Sequence, residues 1–200
     1  MGNFRVILKL KGNTEGSCNW PRRDYTLTPQ MTKAYLLGAM HDGTVRKLTY
    51  RIVQKDKVYI EFLMKEIQKL GQNAWMYKEG KARQLYVVEF SINFLKSFVL
   101  RTLQDKVDYI RGYFDAEGGV SRSPTVRYYL YFAQKNLKDL EQIRGFLEDL
   151  GISCGQVHNP SRCVDPNYWR FFIRAQSYEK FAQTIGSWHP VKSQYLRMMI

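Results

Sequence analysis

Apolar residues recur at helical spacing in two stretches of the chain. Ile60, Leu63, Met64, Ile67 and Leu70 mark the first, and Leu140, Ile143, Leu147 and Leu150 the second. A recurrence every three to four residues predicts an amphipathic helix with one face on a core. Each stretch stops at a Leu-Gly pair, Leu70-Gly71 and Leu150-Gly151, and Gly is the common residue just past a helix end. Ahead of each helix lies a segment with strand-like alternation, residues 47–55 and 127–135. The two blocks repeat at an offset of 80 residues, so that Gln54-Lys55 matches Gln134-Lys135.

Hairpin-like strands follow each helix, 73–79 with 83–90 and 152–158 with 168–174. A further helix is predicted after each pair, near 94–103 and 178–185. The unit reads αββαββα and occurs twice, which makes the fold α+β. The expected organisation is an N-terminal extension over 1–33, a first half over 34–105 and a second half over 106–200.

The strand faces differ in chemistry. Residues 47–55 place Leu48, Tyr50 and Ile52 on one side and Lys47, Thr49, Arg51 and Lys55 on the other. Residues 127–135 place Tyr128, Leu130 and Phe132 against Arg127, Tyr129, Tyr131 and Lys135. In 168–174, Trp169, Phe171 and Ile173 oppose Arg170 and Arg174. Apolar faces cover a core, leaving faces rich in Arg and Tyr open to a ligand. An ordinary solvated sheet face is the plainer reading of any one strand. Three such faces favour a binding surface, because Arg reads guanine edges bidentately in the major groove.

Charge points the same way. The 200 residues carry a formal charge of +13, with 31 Lys plus Arg against 18 Asp plus Glu. The excess runs through both halves, with 17 basic and 8 acidic residues in the first hundred. A broad positive surface on a folded body suits nucleic acid better than a basic tail would. A hydrophobic fraction of 44%, with 14 Tyr and 11 Phe, is ample for a core. No run approaches the ~20 apolar residues of a membrane span. The N-terminal FRVILKLKG is short and broken by Arg5, Lys9 and Lys11, unlike a signal peptide. A cytoplasmic protein is expected.

Two runs carry the chemistry. Tyr109–Val120 reads YIRGYFDAEGGV, and Tyr35–Val45 reads YLLGAMHDGTV. Each has a Gly inside an apolar helical run, at a cost of about 1 kcal/mol relative to Ala, as where another helix comes close. Each then presents an acid, Glu117 or Asp42, at the helix end. That end of the helix dipole is unfavourable for a carboxylate, and a bound cation would offset it. His41 and Asp115 are expected to cap or pack the helix ends.

These runs resemble the LAGLIDADG motif of homing endonucleases, with Asp115-Ala116-Glu117-Gly118 standing where DADG stands. The first run departs from it: His41 replaces the first acid, and Gly38 to Asp42 is one residue shorter than Gly112 to Glu117. Aligning the glycines leaves Asp42 one place early, and aligning the acids sets Tyr113 opposite Gly38. The second alignment is favoured, with the shift absorbed in the helix. The resemblance covers about residues 33–189.

The resemblance implies a pseudo-twofold monomer. Two antiparallel sheets would form a DNA-binding saddle around a central helix pair. It also implies a duplex DNA target of roughly 20 bp, with no membrane and no obligate protein partner. The activity implied is a metal-dependent double-strand break, with Asp42 and Glu117 as catalytic residues and metal ligands. Mg²⁺ suits carboxylate, phosphate and water ligands best, with Mn²⁺ or Ca²⁺ able to substitute in binding. Gln54, Lys55, Gln134 and Lys135 match the family's helpers beside the active site, Gln ordering water and Lys neutralising charge. The DNA-binding set is Lys47, Thr49, Arg51, Arg122, Arg127, Tyr129, Tyr131, Arg170 and Arg174. Archaeal intron-encoded members look closest, and no intein splicing signature is evident at Met1 or Ile200.

Two alternatives use the same scaffold with an idle centre: an RNA-binding intron maturase and a DNA-binding regulator. Either would tolerate loss of the acids. Cys154, His158 and Cys163 have a loosely metal-like spacing, but a structural zinc site needs four ligands. Free thiols are the expected state, with a Cys154–Cys163 disulfide or Cys18 as a fourth ligand as lesser alternatives. The loop 158–166, with residues 19–23, is a candidate for added basic contacts.

Overall fold

A computed structural model describes residues 30–80, 83–121 and 126–197. The N-terminal extension up to residue 29, Arg122, Cys18 and the segment 19–23 lie outside the described residues. No helix among the described residues is long and apolar enough to cross a membrane.

The order of elements is α1 (Lys33–Ala39), β1 (Gly43–Val45), β2 (Thr49–Gln54), α2 (Lys57–Lys69), β3 (Ala74–Glu79) and β4 (Leu85–Ser91). It continues with α3 (Leu103–Glu117), β5 (Gly118–Val120), β6 (Leu130–Gln134), α4 (Leu137–Asp149), β7 (Trp169–Phe172), α5 (Tyr178–Thr184) and α6 (Pro190–Arg197). The strands form two antiparallel sheets, one ordered β1-β2-β4-β3 and one ordered β5-β6-β7. The α+β architecture with two antiparallel sheets agrees with the expectation.

Local chemistry explains the helix starts. Thr102 and Asp105 form a reciprocal capping box at α3. Asp56 and Asn136, at matching places in the repeat, cap α2 and α4 by accepting from Tyr59 N and Lys138 N. Such caps satisfy amide groups that the first turn leaves without partners. Gly71 and Gly151 end the two helices with φ of 78° and 69°, a left-handed conformation that suits Gly.

Each half has its own core. Tyr50, Ile52, Val88 and Phe90 of the first sheet pack with Ile60, Leu63 and Ile67 of α2. Leu130, Phe132 and Phe171 of the second sheet pack with Leu140, Ile143 and Leu147 of α4. The two motif helices, α1 and α3, join the halves. A Cβ on Gly38 would fall on the Tyr109 carbonyl oxygen and lie 2.7 Å from Tyr113 N; one on Gly112 would fall on the Tyr35 carbonyl oxygen and lie 2.9 Å from Ala39 N. The glycines therefore admit backbone-to-backbone contact between the helices.

That contact corrects the favoured alignment of the two motifs, which set Tyr113 opposite Gly38. Gly38 and Gly112 are equivalent, so the glycines align. The missing residue is absorbed after Gly38, where α1 gives way to a 3₁₀ turn over Met40–Asp42, whereas α3 stays α-helical to Glu117. A 3₁₀ residue rises about 2.0 Å and an α residue about 1.5 Å, so four residues in one arm and five in the other both advance about 7.5 Å. The acids thus reach equivalent heights.

Three further expectations need correction. No α-helix forms at 94–103; Ile92–Phe94 make a single 3₁₀ turn capped by Ser91, and Thr102 starts α3 directly. The segment 152–158 is not a regular strand and meets the sheet only through two bridges, Cys154 with Ile173 and His158 with Arg170. Leu48 does not join Tyr50 and Ile52 in the core. It sits 71% exposed in the turn before β2, with its carbonyl accepting from Ile92 N at 3.0 Å.

Candidate nuclease centre and nucleic-acid face

The two acids emerge side by side at the tips of the packed helices, each met by a glutamine. Gln54 Nε2 donates to Asp42 Oδ2, and Gln134 Nε2 donates to Glu117 Oε1 at 2.8 Å. The strand pattern explains why Gln stands there. Residues 50, 52 and 54 share one face of β2, and 130, 132 and 134 share one face of β6. Tyr50, Ile52, Leu130 and Phe132 are buried against the helices. Each Gln is the last residue on its core-facing side, where the core gives way to the helix tip. Gln134 is held at both ends, because its Oε1 also accepts from Lys135 N at 2.7 Å.

Electrostatics mark both acids. Burial, and then the neighbouring charge of Asp42, push Glu117 up to about 7, against the lowering effects of the Gln134 hydrogen bond and Lys192. Desolvation pushes Asp42 up to about 6, with Lys192 again lowering it. Asp42 is the more solvent-accessible of the two. Two acids that disfavour each other's charge are suited to a shared cation. Two hard oxygen donors also match the ligand chemistry of Mg²⁺. Among the described residues no group of three or more His, Cys, Asp or Glu is placed to hold a metal.

The predicted lysines part company. Lys55 is exposed beside Gln54. Lys135 turns to Asp165 of the 159–167 loop, at 3.4 Å. His41 and Asp115 are packed into the protein, as expected. His41 is bonded through Nε2 to Tyr109 OH at 2.7 Å, lies over Tyr113, and is pushed by burial down to about 4. Asp115 is buried and accepts from Tyr35 OH at 2.7 Å, Trp188 N at 2.9 Å, His189 N at 3.1 Å and Ser187 Oγ.

The outward sheet faces carry most of the predicted contact residues. On the first sheet, Thr49 and Arg51 share a face with Glu89, Tyr77 and Glu79. Arg51 pairs with Glu79 and lies 3.9 Å from Glu89. Glu89 also holds Arg46 at 3.1 Å, Tyr77 OH at 2.7 Å and Thr49 Oγ1 at 3.2 Å. Sequence reasoning missed this carboxylate hub, whose partners come from two strands, β2 and β3, and the β1–β2 turn. Lys47 is exposed in that turn.

On the second sheet, Arg170 lies over Tyr131 at 4.9 Å, close to Tyr168 and Phe172. Arg127, Tyr129 and Arg174 line a cleft of about 630 Å³ with Phe172, Gln176 and Tyr178. That cleft belongs to the sheet surface and includes neither acid. The loosely zinc-like residues do not converge: Cys154 is a buried free thiol, Cys163 an exposed one, and His158 stacks on Phe172.

Comparison with known proteins bears on the fold and the family resemblance. Residues 105–186 match the LAGLIDADG-like domain family. The homing endonuclease I-ApeI of Aeropyrum pernix is 26% identical over 195 residues, covering 83% of this chain and 86% of that protein. In a structure of its mesophilic variants, the homing endonuclease I-DmoI is similar with a TM-score of 0.61 at 22% identity, over 83% of this chain and 96% of that one. I-DmoI bound to DNA and Mn is similar with a TM-score of 0.55 at 23% identity, over 77% and 95%. Full-length DUF199/WhiA from Thermatoga maritima reaches a TM-score of 0.64 at 16% identity, over 84% of this chain and 58% of that one. What these solved structures share with the chain is the fold. The resemblance to the LAGLIDADG family read from the two motifs holds.

Proposed function

We propose that this LAGLIDADG-type chain is a site-specific homing endonuclease that makes a metal-dependent double-strand break in a long DNA target. One observation carries the reading: Asp42 and Glu117 stand at adjacent helix tips, each bonded by a glutamine from the strand beside it. A scaffold used only for binding has no need of two mutually repelling carboxylates at its centre.

Asp42 and Glu117 would hold the metal, for which Mg²⁺ is the best fit and Mn²⁺ or Ca²⁺ are substitutes; I-DmoI has been crystallised with DNA and each of Mn, Ca and Mg. When bound, such an ion supplies positive charge for a phosphoryl oxygen and for a nucleophilic water. The protein's own groups do the rest. Gln54 and Gln134 fix the rotamers of the two acids through their amides and can order water beside them. Lys55, exposed next to Gln54, is placed to neutralise a phosphate. The outward faces of the two sheets, with Lys47, Thr49, Arg51, Arg127, Tyr129, Tyr131, Arg170 and Arg174, hold the duplex. Because the repeat supplies both acids, one chain would serve one duplex of roughly 20 bp as a monomer, with each half covering about one helical turn.

A binding-only role on the same scaffold, as maturase or regulator, is the competing reading, and it predicts no cleavage at all. The test is to incubate the purified chain with a randomised DNA library in Mg²⁺ and sequence the ends produced. Recurrent breaks at one long motif, lost in EDTA, support the nuclease. Intact DNA with tight sequence-selective binding supports the alternative.

A further inference from the structure

Immediately after the matched domain, the chain folds back onto the helix tips. Trp188 packs 4.5 Å from the Tyr35 ring and lies over Arg111 of α3. The Trp188 and His189 amides and the Ser187 hydroxyl all donate to Asp115. The segment then enters α6, and Lys192, only 6% exposed, places its Nζ 2.7 Å from the Phe114 carbonyl oxygen and 2.8 Å from that of Asp115. These carbonyls belong to the last turn of α3, which ends in Glu117. A buried ammonium is thus bonded directly to the negative end of the helix that presents an acid. Its charge also acts on both Asp42 and Glu117.

We propose that Lys192 is a positioning residue and the resident counter-cation of the acid pair: anchored on the last carbonyls of α3, it allows two carboxylates to stand together before any metal arrives. An acid at a helix C-terminus needs an offsetting positive charge. A lysine at that end supplies the charge and adds a donor to the last carbonyls of the helix, of which that of Phe114 also accepts from Gly118 N. The same positive charge opposes an incoming divalent ion, so it also moderates how tightly the pair binds metal. This deepens the nuclease reading, since it concerns the same two acids, but it can be tested without DNA or cleavage.

The test is a mutant cycle melted in EDTA at about pH 8.5, where both acids are ionised. Lys192→Gln keeps amide donors for the two carbonyls and removes the charge. It should lower the melting temperature by about 3 °C or more, the scale of 1 kcal/mol in a protein of this size. In the Asp42→Asn/Glu117→Gln background the same substitution should cost less than half as much. An equal loss in both backgrounds reduces Lys192 to a helix cap and overturns the proposal. If Lys192→Gln does not fold, adding the two acid substitutions must restore folding, and failure to restore it overturns the proposal as well. Lys192→Arg, which keeps the charge, should melt near the wild type. A Mn²⁺ titration followed by electron paramagnetic resonance gives the second readout. Lys192→Gln should bind Mn²⁺ at least about threefold more tightly, as expected for loss of a nearby like charge, and equal or weaker binding overturns the proposal. Should the wild type cut no DNA, the nuclease reading falls while the melting cycle still decides the role of Lys192.

Discussion

Gly38 and Gly112 make the same contact in opposite directions, each letting the other helix's backbone approach where a Cβ would collide with a carbonyl oxygen, of Tyr109 in one case and Tyr35 in the other. The two acids are brought together by this packing, so the glycines govern both the stability and the chemistry of the centre.

Gly112→Ala should therefore destabilise the protein by about 2–3 kcal/mol, since the clash is with backbone that cannot rotate away, and the melting temperature should fall by roughly 4–12 °C. Gly145, inside α4, has nothing within 4 Å of an added Cβ. Gly145→Ala should instead stabilise by about 0.5–1 kcal/mol. Thermal melts of the two variants give opposite signs if the packing is as described.

Glu117→Gln and Asp42→Asn should each abolish double-strand cleavage or leave nicking alone, with DNA affinity retained. Amides keep the size of the carboxylates and lose the charge that would hold metal. Gln134→Ala should slow cleavage by about 10-fold or more, by freeing the Glu117 carboxylate that it now fixes. Single-turnover cleavage and electrophoretic binding assays on each variant separate the two effects. Full double-strand cutting by Glu117→Gln would remove Glu117 from the centre.

The raised carboxyl of Glu117 has a definite sign in stability. An acid whose folded pKa exceeds its unfolded value weakens the fold as pH rises. For Glu117 the loss begins near the ordinary value of 4.5 and is complete above about 7. In metal-free buffer, Glu117→Gln should melt like the wild type below about pH 4 and above it in temperature beyond about pH 7, with the gap opening between. Parallel melts across pH check this, and a gap that is constant with pH would contradict the assignment.

Arg170, held over Tyr131 on the outward face, is the best-formed candidate for a base contact. Arg170→Ala should cost about 1–3 kcal/mol on the preferred target and relax choice at one base pair. Arg51 is held by Glu79, so Arg51→Ala should alter binding less than Arg170→Ala. Glu61→Ala, on α2 behind the sheet, removes only an exposed pair with Lys57 at 3.1 Å and should leave DNA affinity unchanged. Affinities for single-base variants of the target at two salt concentrations give all three answers; loss of affinity equal for every sequence, with a flatter salt dependence, would make Arg170 a phosphate contact.

Much of this protein was legible in its sequence because periodicity is local. Ile60, Leu63 and Ile67 declare a helix through neighbours three and four residues away, and Gly71 and Gly151 declare its end. The 80-residue repeat equated Gln54 with Gln134, and the resemblance to the LAGLIDADG family implied that both border the acids, although Gln54 follows its acid by 12 residues and Gln134 by 17. The Leu48 and 94–103 expectations failed where a pattern ran past the element it belonged to. Leu48 continued the alternation of β2 although the strand begins one residue later, and the apolar residues after Ser91 fill a turn.

Other features were decided only in three dimensions. The one-residue deficit in the first motif was visible, but its absorption by a 3₁₀ turn depended on two helices locked glycine to glycine, a contact across 74 positions. Glu89 looked like an ordinary strand acid until Arg46, Thr49 and Tyr77 surrounded it. Lys192 left no trace as part of the centre, because its partners are the backbone carbonyls of Phe114 and Asp115. Every residue carries a carbonyl, so no side-chain pattern can announce such a bond; only the return of α6 to the tip of α3 selects which carbonyls the ammonium meets.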